Sequence, residues 1–316
     1  MSHPRWPRGQ RWKNDAIFFA VRFALKVGLF IPRAWLPTVG AWVGLLAHTI
    51  FRQARATTVS NLTRVHRWAD PDAVRPLARA VFRTLGQNLT DTLALLDPTE
   101  PPYRTLALPE SSRRVLAEAL GEGRGVVYVT CHLGPWERMA ALLAQAGFPI
   151  TTLARRSYDP RLHRLLYEPL RTNRNINVIY RGDPGAAFSV VRALRRGSVL
   201  GFLADLPGRV PTRPAELLGL PSRLPIGPAR IALRTGAPVV IGTPARAADA
   251  TLEVRIERLP SEGLGPGEAG ESALTQRMAD ALTQRIQSLP THWPWMHPSF
   301  SESPPRRANA PATAGT

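Results

Sequence analysis

From Gly123 onward the chain alternates short β-rich runs with helical ones, and this alternation restricts its fold more than any other feature. Residues 126–130 (VVYVT), 150–154, 178–180, 199–204 and 238–242 read as strands, while 139–146, 162–170, 186–194 and 228–234 read as helices. Strands separated by helices cannot close tight hairpins, so they pair in parallel through crossovers. A strand over 252–259, with Val254 and Ile256 alternating with charged neighbours, a loop over 261–270 and an amphipathic helix over 272–289 complete the pattern. The expected fold is α/β: a largely parallel mixed sheet flanked by helices. With 44% hydrophobic and 20% charged residues, wholesale disorder is excluded. The single cysteine, Cys131, forms no internal disulfide and no multi-cysteine metal site.

The first 52 residues differ in kind. Arg5, Arg8, Arg11 and Lys13 precede an apolar stretch, 16–31, interrupted only by Arg22 and Lys26, and Pro32 ends it. A second run, 34–51, carries no Asp, Glu, Lys or Arg. Neither is a clean span of about 20 apolar residues. Trp6, Trp12, Trp35 and Trp42 suit the headgroup level of a bilayer, so 1–52 are expected to be basic, apolar, membrane-associating helices. A pair of soluble core helices has the same composition. Residues 52–67 follow as a basic polar helix and 70–96 as an amphipathic one. We therefore divide the chain into 1–52, an α/β domain over 53–300 and a disordered, low-complexity tail over 301–316.

Charge narrows the partners. The 41 Lys+Arg exceed the 23 Asp+Glu by 18, and only Lys13 and Lys26 are lysines. Such a balance calls for an anionic membrane face, an acidic carrier protein or nucleic acid. No nucleic acid is expected, because no recognition motif or aromatic-studded basic strand accompanies the arginines.

The strand at 126–130 runs into Cys131-His132-Leu133-Gly134-Pro135-Trp136-Glu137, where Gly134-Pro135 signals a helix start. His132 thus stands at the carboxyl end of a strand, the usual place for a site in an open α/β sheet. Glu137 is expected to reach back to one ring nitrogen and leave the other free as a base. A capping histidine beside a surface glutamate gives the same spacing. Cys131, ending an apolar strand, reads as a packed residue rather than a nucleophile. Arg155, Arg156 and Arg181 are candidates for phosphate, against the alternative of solvated surface charge. Asp205, at another strand end, is expected to orient a sugar hydroxyl, to hold Arg209 or to cap a helix. No metal-ligand or phosphate-loop pattern occurs, and no cofactor is expected.

His132 and Glu137 also sit inside a set of collinear blocks. These are Asn61-Leu62 after Arg55, 82–89 (FRTLGQNL), 125–137 (GVVYVTCHLGPWE), Arg155-Arg156, 171–181 (RTNRNINVIYR), 201–208 (GFLADLPG), 217–240 (LLGLPSRLPIGPARIALRTGAPVV) and 293–300 (WPWMHPSF). Together they resemble the lipid A late acyltransferases and phosphatidylinositol mannoside acyltransferases of the lysophospholipid acyltransferase superfamily, over about residues 15–300. The chain departs from that pattern at the prolines and arginines around Asp205, at Leu217-Leu218 and at Pro298-Ser299. The resemblance implies a glycerolipid acyltransferase-like fold at the cytoplasmic face of a bacterial inner membrane. It implies an acyl thioester, on acyl carrier protein or coenzyme A, attacked by a hydroxyl of a glycolipid or lipid A-type acceptor. His132 would be the general base, assisted by Glu137, with N–H groups of the Gly134 turn or Arg155 facing the oxyanion. A hydrolase of the same fold, activating water at His132, has the same sequence signature.

Overall fold

The computed structural model describes residues 6–28, 30–66, 71–249, 251–297 and 300. The tail assigned to 301–316, together with Arg5, Pro298 and Ser299, lies outside them. The elements are the helices α1 (Arg8–Gly28), α2 (Leu36–Ile50), α3 (Arg52–His66), α4 (Pro71–Ala94) and α5 (Glu110–Gly121), then strand β1 (Val126–Thr130), helix α6 (Trp136–Gln145) and strand β2 (Ile150–Ala154). There follow α7 (Pro160–Leu162), a π-helical turn (His163–Tyr167), α8 (Glu168–Thr172), β3 (Asn177–Tyr180), α9 (Ala186–Arg195) and β4 (Val199–Leu203). The chain continues through β5 (Thr212–Leu217), β6 (Leu220–Pro225), α10 (Gly227–Thr235), β7 (Val239–Arg246), β8 (Leu252–Leu259) and α11 (Glu268–Ser288).

The expected α/β architecture is present. Among the described residues the main sheet runs β3-β2-β4-β1-β7-β8, parallel throughout except for the antiparallel edge strand β8. Strands buried on both faces read as unbroken apolar runs, and β1 is buried at every position. Its alternate residues feed two cores. Val127 and Val129 pack toward α4, α10 and α11, while Val126 and Tyr128 pack toward α5 and α6. α11 begins at Glu268, inside the span expected to be loop.

One hairpin was not expected. β5 and β6 pair antiparallel through Leu218 and Gly219, both at positive φ (56° and 74°). That two-residue turn favours Asn-Gly or Asp-Gly, and leucine in its first position masks the signal.

α2 crosses α4 at backbone contact. A Cβ on Gly86 would lie 2.0 Å from the carbonyl oxygen of Gly40, and one on Gly44 would lie 2.0 Å from that of Phe82. Gly40, Ala41 and Gly44 are buried there, which leaves the opposite face of α2, with Trp42, Leu46 and Ile50, exposed. Among the described residues no single helix is long and apolar enough to cross a membrane; only 33–50 and 52–66, bent by 94°, pass such a test as a pair.

Candidate active site

β1 and β4 are parallel neighbours with Thr130 opposite Leu203. Each chain runs two residues past that pair, and the shared register delivers His132 and Asp205 side by side at the carboxyl edge of the sheet. The Asp205 Oδ1 accepts from the His132 ring at Nδ1 (2.9 Å), and Oδ2 accepts from the His132 backbone N–H (3.0 Å) and from the Trp293 indole (2.8 Å). Burial would push the Asp205 carboxyl up, but the charge of His132 and these hydrogen bonds hold it below the ordinary carboxylate value. An ionised carboxylate only accepts, so the proton of neutral His132 sits on Nδ1 and the lone pair on Nε2. The partly exposed ring lies edge-on to Trp136, 5.2 Å between centroids, and Nε2 has no hydrogen-bond partner among the described residues. Burial pulls the His132 pKa down; the Asp205 charge and hydrogen bond, with the Glu137 charge behind them, more than reverse this and raise it above 6.5.

Glu137 does not make the hydrogen bond expected of it. In the first turn of α6 it meets Arg171 of α8, with Nη2 donating to Oε1 at 2.6 Å and Nη1 donating to Oε2. A planar guanidinium offers a carboxylate two charge-assisted bonds where an imidazole offers one, and the fork wins. Glu137 therefore acts on His132 through space, by charge. Asp205 in turn is fully buried with both oxygens engaged, so it neither orients a sugar hydroxyl nor holds Arg209.

Other expectations fall differently. Arg155, Arg156 and Arg181 all follow β2 or β3, on the same sheet edge as His132, and all are exposed. Arg156 is paired with Asp183 (2.7 and 3.2 Å) and lies 4.1 Å over the Tyr180 ring. The side chains of Arg155 and Arg181 have no partner among the described residues. The Gly134 N–H donates to the His292 carbonyl at 3.0 Å, so it is not free for an oxyanion. Cys131 is buried, and burial with the nearby Asp205 charge pushes its thiol well above the ordinary value, leaving it inert as a nucleophile.

Three supporting residues were not anticipated. Trp293 holds Asp205 from the core, where a buried indole N–H needs an acceptor. Asn61 of α3, buried, donates to the carbonyls of Trp295 and His297 at 2.8 Å each and so fixes the segment that carries Trp293. Arg138, buried beside Glu137, ties α6 to Asp91 of α4 (2.6 Å) and to the Pro101 carbonyl (2.9 Å). The paired Asn61-Leu62 and the terminal aromatic cluster were legible as blocks, but nothing in their spacing says that one grips the other.

Beside this constellation an apolar cavity lies between α6 and the sheet. Thr130, Leu203, Glu137 and Arg171 line one end, near His132; Leu143, Ile150 and Val199, all buried, line the other.

The model of the bacterial lipid A biosynthesis acyltransferase family matches residues 9–302. Over 187 residues, 58% of this chain, the sequence is 26% identical to the phosphatidylinositol mannoside acyltransferase of Mycobacterium tuberculosis (strain ATCC 25618 / H37Rv), covering 57% of that relative. It is likewise 26% identical over 187 residues to the protein of that name from Mycolicibacterium smegmatis, covering 60% of it. With the family model matched along almost the full length and the collinear blocks in place around His132, the chain belongs to the bacterial lipid A biosynthesis acyltransferase family.

Proposed function

We propose that the protein is a membrane-associated O-acyltransferase that moves a fatty acyl chain from a thioester, on acyl carrier protein or coenzyme A, to a hydroxyl of a glycolipid. The observation that carries this reading is the His132 imidazole, tethered at Nδ1 by a buried, ionised carboxylate and open at Nε2. In the step proposed, Nε2 takes the proton of the acceptor hydroxyl as its oxygen attacks the thioester carbonyl. The tetrahedral intermediate collapses with cleavage of the C–S bond, and the imidazolium returns the proton to the leaving thiolate. Asp205 stabilises the imidazolium directly and Glu137 by its field. Nothing in this sequence calls for a metal or a covalent enzyme intermediate. The apolar cavity suits the acyl chain, and Arg155 and Arg181 suit phosphate on the acceptor or the donor's pantetheine arm.

His132→Ala tests the reading. Acyl transfer from either thioester to a glycolipid hydroxyl should fall by about 10²–10⁴, the usual worth of a general base. The variant should still fold and bind vesicles, with melting lowered only because the buried Asp205 carboxylate loses the ring as a partner. Undiminished transfer by His132→Ala removes the assignment.

A further inference from the structure

The cavity exists because two glycines, Gly201 and Gly242, lie on the α6 side of the sheet where side chains would otherwise stand. Tyr128, on the central strand, has Gly201 of β4 as its partner on one side and Val240 of β7 on the other. Its ring leans toward β7. A Cβ on Gly242 would lie 1.8 Å from the Tyr128 hydroxyl oxygen and 2.2 Å from Cζ, so Gly242 is the notch that receives the ring. The hydroxyl reaches on to Met139 Sδ of α6, at 3.4 Å. With the tyrosine turned away, the space above Gly201 is left empty, and that space is the middle of the cavity.

Gly201 has no backbone reason to be glycine. Its φ is not in the left-handed region, and a Cβ there would meet only the Thr151 carbonyl oxygen and Thr152 Cγ2, each at 3.8 Å. A side chain would fit, and it would project into the cavity. Alternation along β4 places Val199, Gly201 and Leu203 on one face, and all three line the cavity. From Leu203 near His132 to the buried Val199 is about 13 Å at 3.3 Å per residue, with Gly201 halfway.

We infer that Gly201 sets the acyl-chain length the enzyme accepts: its missing side chain lets a long saturated chain pass the middle of the cavity and reach Val199, Ile150 and Leu143, where any larger residue would stop it. This rests on the reading of the cavity as the acyl site. The substrate class it names is a long-chain acyl thioester, since a short chain would leave the buried far end unfilled.

Competing saturated acyl thioesters of graded length, offered to the full-length enzyme on coenzyme A and on acyl carrier protein, test it. Gly201→Ala, Gly201→Val and Gly201→Leu should shift the product profile toward shorter chains in that order. The short-to-long ratio of kcat/KM should rise about fourfold for each methylene excluded, the transfer value of one buried CH2. Gly201→Ala, which the 3.8 Å contacts accommodate, keeps the series informative if leucine unfolds the protein. A profile parallel to wild type across all folded variants overturns the inference. A long-chain thioester carrying a terminal diazirine separates the two levels. Crosslinks at Leu143 or Ile150 in wild type, with an unmoved profile, would refute Gly201 alone. Crosslinks outside the cavity would refute the acyl site itself.

Discussion

At the scale of single residues, the site is a problem of keeping one proton in place. Asp205 fixes the tautomer of His132 and raises its pKa, so in the wild type the ring keeps its second proton to higher pH than a free imidazole does. In Asp205→Asn the burial that lowers the imidazole pKa remains while the charge that raises it is gone. The acid limb of kcat/KM should therefore move to lower pH, and the rate at its plateau should fall by about 10²–10⁴ as the tautomer is released. An unshifted limb would mean that His132 is not the titrating base. His292 makes the opposite case. Burial, with the charge of Arg246, lowers its pKa to about 4, so the folded protein holds it neutral while the unfolded chain protonates it near 6.5. Stability should be fully present above 6.5 and decline as pH falls toward 4, by as much as about 3 kcal/mol. Denaturant midpoints of His292→Gln should lack that slope, and a slope equal to wild type would assign the acid sensitivity elsewhere.

Between elements, the Glu137–Arg171 fork ties the start of α6 to α8 across the mouth of the cavity. Both side chains are mostly buried, so removing one strands the other's charge. Arg171→Ala should cost about 1–3 kcal/mol in urea unfolding, and Glu137→Gln combined with Arg171→Ala should cost less than Arg171→Ala alone. Strict additivity would mean that the fork carries no coupling. This pair also shows what a sequence conveys. The strand ending just before His132, the helix carrying Glu137 and the strand ending before Asp205 were all readable, because apolar runs and a Gly-Pro helix start are local signals. Which acid meets the imidazole was not, because it depends on the strand order placing β4 beside β1 and on an arginine thirty-four residues past Glu137. The Leu218-Gly219 hairpin escaped for a local reason, an unusual turn residue, and the Asn61 grip on the terminal aromatics for a global one.

For the whole molecule, the governing feature is apolar surface on two helices left uncovered among the described residues. α2 buries its glycine side on α4 and turns Trp42, Leu46 and Ile50 outward, and α1 exposes Trp12, Phe19, Phe23 and Val27 at helical spacing. Arg161 of α7 joins α1 to the α/β body, bonding Asp15 at 2.6 Å and lying 4.7 Å over Phe18. The exposed face of α1 is thereby fixed to the segment that follows the candidate phosphate-binding Arg155. Large apolar patches on a single chain mark contact surfaces, and under the membrane association proposed above the excess of 18 positive charges would suit an anionic bilayer. A bilayer that takes up this face would present its own glycolipids beside the carboxyl edge of the sheet. Each aromatic side chain contributes about 1.5–3 kcal/mol when fully withdrawn from water. Phe19→Ser with Phe23→Ser should therefore lower binding to anionic vesicles at least a hundredfold, while leaving transfer to a detergent-dispersed acceptor unchanged. Salt should weaken the arginine contribution and spare the aromatic one, so raising ionic strength should lower both affinities by a similar factor while the double variant stays the weaker binder throughout. If wild type and the double variant bind vesicles alike at every ionic strength, the exposed face of α1 is not the part of the molecule that meets the membrane.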